Sequence, residues 1–183
     1  MGRKPEEEWL VMDIFRDKTA IVTGGASGIG KGLCEELGKH GAVVVVADLN
    51  GEEARNVAAS LKASGGRAEA VKLDVTNEGD VRGLINETAA KRGKLDYVFN
   101  NAGIGIGGEV QDMDLDHWNR IVEVNQWGVV YGTLAAYKVM VKQGSGHIVN
   151  CSSVLGLVGA KWRGAYGSTK FALEGLSDVL RIE

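Results

Sequence analysis

From Lys18 onward the chain alternates short β-branched runs with stretches of helical periodicity, and this alternation restricts the fold more than any other feature. Strand candidates cover residues 19–23, 42–47, 68–73, 95–99 and 147–151. Helical patterns fall between them near residues 28–40, 51–64, 78–92 and 116–142. Several strands are apolar at successive positions, as VVVV at 43–46 shows. Such a strand is buried on both faces, which happens in a parallel sheet covered by helices on either side. Parallel neighbours need long crossovers, so the series reads as right-handed βαβ units forming a doubly wound α/β sheet. Residues 18–183 form that one domain. Residues 1–17 are charged and aperiodic and read as an N-terminal extension.

Charge and composition exclude several functions. The net charge is −3 with both signs interspersed and no basic block, so neither nucleic acid nor an anionic membrane is an expected partner. The longest apolar run, residues 42–47, is strand-sized, and the start MGRKPEEEW lacks the apolar centre of a signal peptide. Cys34 and Cys151 lie in apolar patterns and are expected as buried, reduced thiols of a cytoplasmic protein. The three histidines are scattered and no CxxC occurs, so no metal site is expected.

The first strand runs into TGGASGIG, residues 23–30, and then into a helix. Glycines here allow a tight turn and close backbone approach to a pyrophosphate, with helix N–H groups aimed at its charge. The spacing Gly24, Gly28, Gly30 departs from GxGxxG, so position between strand and helix carries the inference. The second strand ends in Asp48. Its carboxylate either is solvated or accepts from adenosine ribose hydroxyls. In the second case it repels a 2′-phosphate, and neither Ser27 nor Leu49 offers a cation, which favours NAD over NADP. Asp74-Val75 ends the third strand, and Asn100, Asn101, Ala102 and Gly103 end the fourth. Each alone suits a turn; together they put polar groups at the carboxyl end of the sheet, where open α/β folds bind ligands.

Residues 152–170 hold a serine pair, then Tyr166, then Lys170. If the segment from Ala165 onward is a helix, the phenol and the ammonium share a face one turn apart. A cation at about 4 Å, in an effective dielectric of ~20, is worth about 4 kcal/mol to an anion. That equals roughly three pKa units, enough to bring a phenol into use as an acid or base near neutral pH. The same spacing also arises on ordinary helix surfaces. Asn125 is a polar residue in an apolar helical pattern, either a core amide satisfied by backbone or a functional group.

TGxxxGIG at 23–30, Asp48, Asp74, NNAG at 100–103, Asn125, a serine thirteen residues before YxxxK, and YxxxK at 166–170 together resemble the short-chain dehydrogenase/reductases. The resemblance spans Lys18 to the last residue. It implies a Rossmann-like sheet and hydride transfer between NAD(H) and a small alcohol or carbonyl substrate. It implies Tyr166 as the acid/base, and Lys170 as the cation that eases its ionisation and bonds the nicotinamide ribose. Ser153 would orient the substrate oxygen, with Ser152 behind it through the main chain. Asn125 would lie at a local helix distortion that positions a water next to the lysine. Thr23, Gly24, Gly28, Ile29 and Gly30 would line the pyrophosphate. Asp74 and Val75 would border the adenine, and Asn101, Ala102 and Gly103 would support the sheet beneath the cofactor. A homodimer or tetramer is implied, through the helices carrying Asn125 and Lys170, with Trp127, Tyr131 and Phe171 as candidate contacts that could equally be core.

The pattern departs from the family after Tyr166. Five strands are readable against the family's six or more, the Pro-Gly turn is missing because the sole proline is Pro5, and Glu183 ends the chain inside a helix. The last strand or strands of the sheet are therefore not visible. The expectation is a piece of a longer enzyme, or a short form completed by a partner, with HIVNC as an exposed apolar sheet edge. Two other readings stay open: a dinucleotide-binding module without turnover, and a sugar-nucleotide epimerase or dehydratase, which uses tyrosine and lysine at the same spacing. The segment 104–113 should shape the substrate pocket.

Overall fold

The computed structural model describes residues 14–183. Five parallel strands form one sheet in the order β3-β2-β1-β4-β5. They are β1 (Thr19–Thr23), β2 (Val43–Asp48), β3 (Arg67–Lys72), β4 (Tyr97–Asn100) and β5 (His147–Asn150). The helices are α1 (Gly28–Lys39), α2 (Gly51–Ala63), α3 (Glu78–Arg92), α4 (Leu115–Val122), α5 (Gly128–Gln143) and α6 (Gly164–Ile182). A strand winds outward from β1 to β3, then the chain returns past β1 to β4. The direction of winding reverses there, which opens a crevice at the carboxyl ends of β1 and β4.

Alternation along the strands separates two cores. Ala20, Val22, Val44, Val46 and Phe99 pack against Cys34, Leu37, Ala54, Val57 and Leu61 of α1 and α2. Ile21, Val45, Ala47 and Val98 face Val81, Ile85, Ala136 and Met140 of α3 and α5 on the other side. The apolar valine run is thus buried on both faces, as its composition requires. Of the expected extension, residues 1–13 lie outside the described residues. Phe15 packs on the first core, and the Tyr97 hydroxyl donates to the Ile14 carbonyl at 3.0 Å. Cys34 is buried, and its thiol is pushed up to about 12, chiefly by desolvation. Cys151, expected to be buried, is only half-buried because it sits just past the end of the edge strand β5. No described helix is long and apolar enough to cross a membrane.

The helix expected over residues 116–142 is interrupted. Between α4 and α5, Glu123–Trp127 form a π-helical turn in which the Gly128 N–H donates to the Glu123 carbonyl, five residues back. As expected, β5 occupies the edge of the sheet. A polar network joins it to its surroundings: Asn100 Nδ2 donates to Asn150 Oδ1 at 2.9 Å and to Thr133 Oγ1 at 3.3 Å, and Asn150 Nδ2 donates to Ser177 Oγ at 3.1 Å. Gly132 of α5 rides directly on Asn100, where any Cβ would overlap the amide oxygen. Gly132→Ala should therefore displace Asn100 and break its bonds. The expected loss is about 2–3 kcal/mol, read as a lower urea midpoint at unchanged slope.

Candidate active site

The glycine turn after β1 is built by close approach. Gly24 has φ +64°, and a Cβ there would stand 2.9 Å from Ala102 Cα; a Cβ on Gly30 would overlap the Gly24 carbonyl. Asn101 holds the turn from below, its Nδ2 donating to the Thr23 carbonyl at 3.0 Å and the Gly24 carbonyl at 3.2 Å. Thr23, expected along the pyrophosphate, commits its buried hydroxyl to the β4 end. It donates to the Phe99 carbonyl at 3.3 Å and accepts from the N–H groups of Asn101 and Ala102 at 3.0 and 3.1 Å.

The N-terminus of α1 differs from those of α2, α3 and α4, while α6 likewise starts without a side-chain cap or a first-turn acid. Helices α2, α3 and α4 are capped by Asn50, Asn77 and Asp114, each with acidic residues in the first turn. On α1, Ser27 makes no capping side-chain bond and the first turn carries no acid. Ser27, Gly28 and Ile29 are exposed, Ile29 at 76%. A Cβ on Gly28, at φ +50°, would meet nothing within 4 Å, so the space in front of these N–H groups is open. Free N–H groups facing open space at a helix N-terminus are groups that could hold an anion. Asp48 stands beside it, Oδ2 accepting from the Ala26 N–H at 3.0 Å and Oδ1 from the Asn50 N–H at 2.9 Å. Leu49 next to it is exposed. Asp74 Oδ1 accepts from the N–H and hydroxyl of Thr76 at 2.9 and 2.7 Å. The Val75 side chain is buried, and a Cβ on Gly128 would press on it, so only its backbone is left to border a ligand.

On the other side of the crevice, Asn125 is fully buried in the π-helical turn. Its amide clamps one residue of the facing loop: Oδ1 accepts from the Ile104 N–H at 2.8 Å and Nδ2 donates to the Ile104 carbonyl at 2.9 Å. Gly103 lies against the same amide, 3.3 Å from Oδ1 to its would-be Cβ. Ser153 begins a short turn, its Oγ accepting from the Leu155 N–H at 3.1 Å, while Ser152 Oγ donates to the Lys170 carbonyl at 3.4 Å. Tyr166 and Lys170 are one turn apart on α6, with Nζ 5.6 Å from the phenol ring centroid. Lys170 is only 5% exposed, and Nζ donates to the Cys151 carbonyl at 2.7 Å. The YxxxK spacing puts Tyr166 and Lys170 one turn apart on a helix as expected, but the sequence carries no signal for the backbone partners at Cys151, Ile104 and Ala26.

Burial pushes the Lys170 ammonium below the usual lysine range, slightly offset by Cys151. A lowered folded pKa means that the cost of holding the charge is present below that value and disappears above about 10.4, where the unfolded chain is neutral too. Lys170→Met should accordingly match or exceed the parent's urea midpoint at pH 7. Its advantage should shrink as the pH rises toward about 10.4, in denaturation curves paired at pH 7 and pH 10.

A family model described as short chain dehydrogenase matches residues 18–183. A cyclopentanol dehydrogenase of Comamonas sp. is 41% identical over 162 residues, covering 88% of this chain and 65% of that protein. The 2,5-dichloro-2,5-cyclohexadiene-1,4-diol dehydrogenase LinX of Sphingobium indicum is 36% identical over 166 residues, covering 91% and 66%. The chain therefore spans about two thirds of the length of these relatives. The crystal structure of a Burkholderia phymatum short chain dehydrogenase/reductase in complex with NAD superposes with a TM-score of 0.88 at 32% identity, over 91% of this chain and 59% of the other. The family model spans every residue from 18 to 183, and the chain belongs to the short-chain dehydrogenase/reductase family.

Proposed function

We propose that the protein is an NAD(H)-dependent oxidoreductase that moves a hydride between the nicotinamide and the carbinol carbon of a small secondary alcohol. The observation that carries this reading is a shared placement at the carboxyl ends of the strands: an uncapped helix N-terminus behind the glycine turn after β1, and a phenol and a buried ammonium one turn apart on α6, the ammonium bonded to the Cys151 carbonyl just past β5. The residues fit a dinucleotide: the open space at Gly28 accepts a pyrophosphate on the N–H groups of Ser27 to Gly30, and Asp48 lies where an adenosine ribose would follow. Leu49, Asp74 and Val75 would border the adenine side, and Asn101, Ala102 and Gly103 would floor the crevice.

Bound NAD supplies the hydride acceptor. The chain's own residues handle position and the proton. Ser153 orients the alcohol oxygen, and Tyr166 takes its proton as the carbinol hydrogen departs, or returns it to the ketone in reverse. Lys170, with its charge in a desolvated place, stabilises negative charge developing on the phenol oxygen. Asn125 acts as a positioning residue, fixing the loop at Ile104 through both ends of its amide. The two relatives are named for cyclic alcohols, which supports an alicyclic secondary alcohol as substrate. An assembly of like chains through α5 and α6 is supported by exposed Trp127, Leu134 and Phe171 on those helices or at their start.

A second reading, a dinucleotide-binding module without turnover, is favoured by Lys170 Nζ bonding the Cys151 carbonyl. Tyr166→Phe separates the two. Turnover should fall by about a thousandfold while NADH affinity, followed by fluorescence, stays within a factor of two. NADH binding in a parent that oxidises no alcohol would favour the module. For Asp48→Ala the NAD/NADP preference should narrow and NADH affinity weaken by about tenfold, because Ala26 N–H also loses its acceptor. An unchanged preference would reject the ribose role of Asp48.

A further inference from the structure

The two segments that flank the reactive groups are tied at one point. The Gly108 N–H donates to the Trp162 carbonyl at 3.0 Å, and Gly108 and Arg163 form an isolated parallel bridge. Trp162 takes φ +66°, which a bulky aromatic residue rarely adopts. Side chains hold it there: indole Nε1 donates to Glu109 Oε1 at 3.3 Å, and Lys161 Nζ sits 4.7 Å from the indole centroid and 3.9 Å from the same Glu109 oxygen. The other Glu109 oxygen accepts from Gln111 Nε2 at 3.1 Å. Charge around the indole is thus mutually satisfied, yet Trp162 remains 55% exposed.

Other large apolar side chains are exposed on the same two segments: Val110, Val154, Leu157 and Val158. Val110 reaches over the start of α6, its Cγ2 3.3 Å from a would-be Cβ on Gly164, two residues before Tyr166. Single exposed apolar residues are ordinary; five on two joined segments at a reactive phenol mark a binding surface.

We propose that Trp162 determines substrate specificity. Its clamped indole is a preformed apolar wall for the ring of an alicyclic secondary alcohol whose hydroxyl is held at Tyr166. It also disfavours polyols, because an indole face offers extra hydroxyls no hydrogen-bond partner. This rests on the reading of Tyr166 given above.

The test uses the full protein with NAD and two probes, cyclohexanol and xylitol. Trp162→Asn tolerates the positive φ while removing the indole, and Trp162→Gly relieves the strain as well. In both, KM for cyclohexanol should rise about tenfold and the cyclohexanol-to-xylitol selectivity should fall by a similar factor. Little change in kcat or NADH affinity is expected. A second readout is independent of turnover: in protein carrying ¹⁵N-labelled tryptophan, the Trp162 indole N–H, assigned by its loss in Trp162→Asn, should shift on titration with cyclohexanone. A shift in a protein that oxidises no alcohol would keep the wall and sink the hydride-transfer reading. An unmoved indole, unaltered selectivity in the variants, or loss of NADH binding in both variants would overturn the wall.

Discussion

The crevice depends on one amide. Asn101 Nδ2 spans the carbonyls of Thr23 and Gly24, and Thr23 Oγ1 answers by accepting from two N–H groups at the end of β4. This reciprocal latch joins the strands on either side of the point where winding reverses. It works only if the backbone passes within contact of the Asn101 side chain, which Gly24 and Gly30 permit by lacking Cβ atoms. Once the latch is set, the start of α1 is fixed in space. Asp48 can then reach the Ala26 N–H from β2, so the open helix N-terminus and the acidic group beside it share a support.

The opposite wall follows the same economy, in which a buried polar group holds backbone instead of another side chain. Asn125 clamps Ile104, Lys170 bonds the Cys151 carbonyl, and Ser152 reaches the Lys170 carbonyl. Each bond crosses between elements far apart in sequence, and each lies at low exposure, where an unmet donor would cost about 1–3 kcal/mol. The network from Asn100 through Asn150 to Ser177 extends this support behind the wall to the helix that carries Tyr166. A tyrosine–lysine pair mounted this way moves with the sheet and does not drift on a loop.

Much of this was legible in the sequence. The VVVV run gave a two-faced parallel strand because apolar residues at successive positions have no other use in a covered sheet. Strand β1 and helix α3 fall at the boundaries expected for them. Asn125 stood out as a polar residue in an apolar helix, and it proves to lie in a π-helical turn. What the chain hid was mostly backbone. An acceptor such as the Cys151 carbonyl has no residue identity, so no spacing rule could assign it to Lys170. The positive φ of Trp162 was hidden because AKWRG offers no glycine or asparagine to announce it; tertiary contacts from Glu109 and Gly108 impose it.

The unfavourable terms are unevenly distributed, and their distribution is itself informative. At the amino ends of the strands, Asp96 accepts from the Thr19 N–H and draws in Lys18 and Lys94, and Tyr97 stacks on His147 with Phe15 tilted against it. Charge there is partnered and apolar surface covered. At the carboxyl ends the pattern reverses: a helix N-terminus without a cap, a desolvated lysine pushed down in pKa, and a tryptophan in a strained backbone region. None of these improves stability, and a chain selected for folding alone would lose all three by single substitutions. Two stand where the proposed function has a use for them, an anion at α1 and a developing phenolate at Tyr166. The third, Trp162, is held in its strained conformation by Glu109 and Gly108 while its indole stays exposed, and its position two residues before α6 ties that strain to the helix of Tyr166.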